Sequence, residues 1–291
     1  MVRRIPVALL VAALLPMIAG CGSTSGGATT ATALTGAHEA AAPVSPSSGW
    51  LMTRQALSEV ITNPTALQRL DANPIDELLA PGQTPLGGVS ARIVVSFSSA
   101  ATLRAAVLDG GLPPHTYGVL FDPEAWAFTP AYEQQHPVLA ATAAAATAHD
   151  HGLRFFVAPA LNLVTVLTPS GHGSRAAEFL AQRLPGRVGH DADVVELQSQ
   201  SLERNTAVYG AFVAAGAREA RAANPRVRVL AGLSTNPPGA PVTLAQLRAD
   251  VAATRTSAQG YWLNIPGQGS RCPTCNPANP GIATPAPGCS A

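Results

Sequence analysis

The chain of 291 residues carries 18 basic and 17 acidic side chains, a formal charge of +1. That balance leaves no electrostatic footprint for nucleic acid, so no such partner is expected. An apolar share of 47% supplies a sizeable core, while 26 Gly and 26 Pro point to long connections between elements.

Arg3 and Arg4 precede an apolar segment from Ile5 to Ile18 that is too short to span a bilayer comfortably and is interrupted by Pro6 and Pro16. It has the form of a signal h-region. The segment ends in Ile18-Ala19-Gly20-Cys21, which resembles the lipobox of bacterial lipoproteins. The resemblance implies that residues 1–20 are a signal peptide and that Cys21 is lipidated. An extracytoplasmic protein, partnered with the membrane through its lipid, is expected. Residues 21–48 are mostly Gly, Ser, Thr, Ala and Pro, the composition of a flexible tether.

The folded domain is expected over 49–265. Leu57, Val60 and Ile61, then Leu67 and Leu70, suggest two short helices punctuated by Asn63-Pro64 and Asn73-Pro74. Strand-like runs follow at Arg92 (RIVVSF), Tyr117 (YGVLFD), Leu153 (LRFFVA), Asp193 (DVVELQ), Val227 (VRVLAG) and Tyr261 (YWLNI). From Tyr117 onward the starts recur every 34 to 40 residues, the length of a βα unit. The layout predicts a (β/α)8 barrel, incomplete unless two further strands lie between Trp50 and Val89. A doubly wound open parallel sheet is the alternative, although no Gly-rich fingerprint follows any strand. Between the strands, His149-Asp150-His151-Gly152 supplies a helix stop, and Thr243 with Gln246 a capping box.

In a parallel barrel the C-terminal ends of the strands build the site, and here those ends are polar. They carry Asp122, Glu124 and Trp126; Asn162; Glu196, Gln198 and Gln200; Asn236; and Trp262 with Asn264. Glu196, Gln198 and Gln200 alternate to one face, and helices cover the other, so this face should point into the mouth. Carboxyls on separate strands, amides and aromatic rings are the equipment of sugar chemistry: an acid, a base or nucleophile, donors for hydroxyls and a stacking surface. Asp122, Glu124 and Glu196 are therefore the candidate catalytic residues, and the remaining seven the candidate ligand-binding residues. The same mouth would also serve a non-catalytic lipoprotein that binds a sugar or small ligand, and a structural envelope protein is a third reading. Locally, Asp122-Pro123-Glu124 also fits a helix start, and Trp262 suits a core as well as a stacking platform.

The stretch from Tyr117 to Glu124 resembles the strand motif of the chitinase-like glycoside hydrolases, Asp-Gly-apolar-Asp-apolar-Asp-x-Glu. Gly118, Val119, Phe121, Asp122 and Glu124 match it, while Tyr117 and Leu120 stand where the motif has Asp. The resemblance implies that Glu124 is the proton donor and Asp122 its electrostatic partner. That family carries the motif on its fourth strand, and here the run is the second strand recognised.

No motif asks for a cofactor, and His149 with His151 has no third ligand nearby for a metal. Residues 266–291 form a Pro/Gly-rich tail with Cys272, Cys275 and Cys289, expected to hold one disulfide, with a bond to Cys289 preferred.

Overall fold

The computed structural model describes residues 49–266, apart from 65, 67, 69–72 and 238–240. Cys21, the tether and the three tail cysteines lie outside the described residues. Eight strands run through the rest: β1 (Gly49–Thr53), β2 (Ile75–Leu79), β3 (Arg92–Phe97), β4 (Thr116–Phe121), β5 (Arg154–Val157), β6 (Val194–Leu197), β7 (Arg228–Ser234) and β8 (Gly260–Asn264). Neighbours pair in parallel and β8 returns to β1, so the sheet closes into a complete (β/α)8 barrel rather than an open doubly wound sheet. The two further strands are β1, which begins one residue before Trp50, and β2, which lies between Trp50 and Val89. The Tyr117 run is thus β4 and not a second strand, the place the motif holds in the chitinase-like hydrolases.

Alternation along the strands sorts side chains into two cores. Inside the barrel Leu51, Leu78, Val94, Leu120, Phe156 and Leu230 pack with Trp262, which is 8% exposed and belongs to this core rather than to an open platform. Outside, residues such as Val95, Phe121, Val157, Leu197 and Leu233 meet the helices. The helix signals act as their chemistry requires. Helix Pro137–Asp150 ends with Gly152 at φ +70°, where the Gly152 and Leu153 amides donate back to the His149 and Ala148 carbonyls. Helix Leu244–Thr254 begins with the Thr243–Gln246 capping box and buries Leu247 and Val251.

Gly118 has a steric reason for being glycine. A Cβ there would stand 2.7 Å from the Arg154 carbonyl oxygen and 2.9 Å from the Phe156 ring, inside the β4–β5 contact. Gly118→Ala is expected to lower stability by about 1–3 kcal/mol through overpacking, measured as a shift of the urea midpoint. An unchanged midpoint would show that the two strands separate freely.

Candidate active site

The ladder between β3 and β4 continues one residue past the strand, because the Asp122 amide donates to the Phe97 carbonyl at 2.8 Å. Extended backbone there turns Asp122 to the same face as Leu120, into the mouth. No helix begins at this point: residues 122–130 form a loop and the next helix is Ala131–Gln135, so the helix-start reading of Asp122-Pro123-Glu124 is corrected. The loop is pinned by side chains. Thr129, almost fully buried, accepts from the Glu124 amide and the Trp126 indole, both at 3.1 Å, and Gln134 donates to the Trp126 and Thr129 carbonyls. Asn162, just past β5, accepts from the Ala125 amide at 2.9 Å and points its own amide at Glu124 Oε2, 3.4 Å away.

From the far side of β5, Gln198 reaches across the mouth. Its Nε2 donates to Asp122 Oδ1 at 2.6 Å and to the Ala158 carbonyl at 2.8 Å, tying the end of β6 to the end of β4. One turn of alternation below it, Glu196 is 1% exposed, and among the described residues neither of its carboxyl oxygens has a hydrogen-bond partner. A Cβ on Gly232 would lie 2.6 Å from Glu196 Oε1 and 2.5 Å from Gln200 Nε2, so both side chains converge on the bare backbone of β7. The Gly232 carbonyl is itself held by the Ser199 and Tyr209 hydroxyls.

Charge in this mouth is costly, and the acids respond. Burial first, then the neighbouring Glu124, raise Asp122 to about 8 against the Gln198 hydrogen bond. Burial also raises Glu124, moderated by Asn162. Glu196 is pushed well above the carboxylate range by burial and then by Asp122. Asp122 is thus linked electrostatically to both other acids, and the three do not titrate independently.

The predicted residues do not all join this set. Asp122, Glu124, Glu196, Asn162, Gln198 and Gln200 come together. Trp126 stands at the rim, edge-on to the exposed Phe128. Asn236 and Asn264 close the ends of β7 and β8, where the Thr235 amide donates to the Asn264 carbonyl at 3.1 Å. His149 and His151 separate, the first to Asp193 and the second to the Thr147 carbonyl. Among the described residues no group of three or more His, Cys, Asp or Glu is arranged to hold a metal ion. Sequence reasoning missed Thr129, whose role depends on the loop's path, and Gly232, for which a glycine inside a strand run was the available signal.

No protein-family model matches the sequence, and a search of curated proteins finds no match. Among solved structures, the chain is similar to a candidate alpha-L-fucosidase from Bacteroides thetaiotaomicron at 9% identity and TM-score 0.46, covering 72% of this chain and 81% of that one. It is similar to the catalytic domain of a family GH18 chitinase from the fern Peteris ryukyuensis at 15% identity and TM-score 0.40, covering 77% and 78%. Triosephosphate isomerase from Bartonella henselae follows at 12% identity and TM-score 0.35, covering 75% and 92%. Such distant likenesses say nothing of this chain's chemistry, which rests on its own residues.

Proposed function

We propose that the protein is an extracytoplasmic, lipid-anchored barrel whose C-terminal mouth hydrolyses glycosidic bonds. One observation carries the reading: Asp122, Glu124 and Glu196 gather at the ends of β4 and β6 as acids linked electrostatically through Asp122, which the Gln198 amide holds in place. Glu124, half-buried and raised, is the proton donor. It passes its proton to the glycosidic oxygen as the bond to the anomeric carbon breaks. Water then attacks that carbon, and the proton it releases returns to the carboxyl set. Asp122 governs the charge that Glu124 leaves behind, while the Asn162 and Gln198 amides fix the two carboxyls in place. Trp126 at the rim offers a ring face to a sugar.

Binding without turnover is the second reading. It is favoured by the hydrogen bonds that Gln198 and Asn162 already make to Asp122 and Glu124. The two readings separate in a screen of the full chain against cell-wall and storage polysaccharides, with released reducing ends as the readout. Hydrolysis of at least one polymer is expected. Retention of a polymer with no release from any would select the binding reading.

A further inference from the structure

The opposite end of the barrel has its own charged architecture. At the strand N-termini Arg92 pairs with Asp76 at 2.6 Å, and its guanidinium lies 4.2 Å over the Tyr117 ring. Beside them, at the N-terminal ends of β4 to β7, opens a cleft of about 560 Å³. Its basic lining is Arg154, Arg226, Arg228, His149 and His190, and its acids are Asp191 and Asp193.

Both acids are already engaged. Asp193 accepts from Arg154 at 2.6 Å, from the Phe155 amide at 2.9 Å and lies 2.9 Å from His149 Nε2. Asp191 lies 2.7 Å from His190 Nδ1 and accepts from Thr142 at 2.9 Å. Burial would raise both carboxyls, yet these partners hold them below the usual range. A further carboxylate, Asp76, acts on Arg228 only through space and accepts its hydrogen bond from Arg92. Neither guanidinium has a hydrogen bond or ion pair among the described residues, and both line the cleft. Two unpaired guanidinium groups facing one concavity form a site for a doubly charged, multi-oxygen anion.

We propose that this floor cleft binds a phosphate ester, its phosphoryl oxygens taken by Arg226 and Arg228. The cleft is larger than a phosphate ion needs and falls in the range of small-molecule sites, leaving space for an organic group beside the phosphoryl. The ester has two sources, a soluble metabolite or a phospholipid headgroup. The second is worth its own arm because β1 starts on this floor: a Cβ on Gly49 would stand 2.6 Å from Arg228 Nη2, so the first residue of β1 lies beside the cleft. The proposal does not depend on what the mouth does.

The test uses the full chain carrying Cys21→Ser, so that no acyl group inserts into lipid. Glycerol phosphate is titrated by calorimetry, and vesicles of phosphatidylglycerol in phosphatidylcholine are sedimented with the protein. Binding of either probe is expected, reduced about tenfold or more by Arg226→Gln and by Arg228→Gln, as loss of charge-assisted hydrogen bonds requires. Glycerol phosphate binding places the ligand in solution, and vesicle binding alone places it on the headgroup. Arg226 is exposed, so Arg226→Gln decides the matter by itself if Arg228→Gln fails to fold. Asp122→Asn, at the other end of the barrel, is expected to leave binding unchanged. Failure to bind either probe, affinity within twofold of the parent in both arginine variants, or an equal loss in Asp122→Asn overturns the proposal.

Discussion

Glu124→Gln is expected to lower kcat on any polysaccharide the protein hydrolyses by about 10²- to 10⁴-fold, the range over which a positioned general acid acts. The substitution keeps the shape of the side chain and an oxygen for the Asn162 amide, and it leaves the Thr129 contact with the backbone untouched. KM and the unfolding midpoint should therefore stay close to the parent values while the proton is lost. Burial holds Glu124 above its usual range, so the acid stays loaded at higher pH than a surface glutamate would. On the alkaline side the rate should fall as Glu124 itself gives up its proton, a limb whose position depends on the charge of Asp122 beside it. Asp122→Asn should shift that limb. A kcat for Glu124→Gln within twofold of the parent would remove Glu124 from the mechanism.

Stability should fall as pH rises from about 5 to 8, the reverse of what surface carboxylates would produce. Glu203, buried behind β7, is raised to about 9, chiefly by burial and also by Asp250, against its bond from the Ser234 amide. Asp122 is raised to about 8 and Asp250 to about 6, again with burial as the main cause. A carboxyl with a folded pKa above its unfolded one stays protonated in the fold after the unfolded chain has released its proton. Its stabilising contribution is complete below the unfolded value, near pH 4, and is lost as pH climbs through the folded value. Each such group lowers the unfolding free energy by about 1.4 kcal/mol per pH unit within its window. Asp191 and Asp193 act in the opposite sense, but only below about pH 4, because their folded values are depressed. Urea midpoints at pH 5 and pH 8 measure the effect, and Glu203→Gln should flatten the slope by one proton. A midpoint at pH 8 equal to or above that at pH 5 would contradict the linkage.

The strands that were legible in the sequence are those whose apolar runs stand alone between helices, β3 to β8. The two that were not have local reasons. In β1 the run Gly49–Thr53 passes directly into helix Arg54–Ile61, with Thr53 as its N-cap, so no connection separates strand from helix. In β2 two of the five residues are acidic, Asp76 and Glu77, which hides the apolar pattern. Those charges are tolerable only in the closed barrel, where Arg92 from β3 meets Asp76 and the Leu86 amide donates to Glu77.

The site divides along the same line. By itself the sequence determined which residues face which way, since alternation is a local property: Glu196 and Gln198 inward, Val195 and Leu197 outward. It could not decide what Asp122-Pro123-Glu124 becomes, because an N-cap and a strand-end acid look alike until the Phe97 carbonyl and the Gln198 amide arrive from other strands. Nor could it decide that Trp262 fills the barrel, that Gly232 makes room for Glu196, or that Arg226 and Arg228 share a cleft. Each of these is a contact between distant segments. Only closure of the barrel, which fixes the register of all eight strands at once, brings those segments within reach.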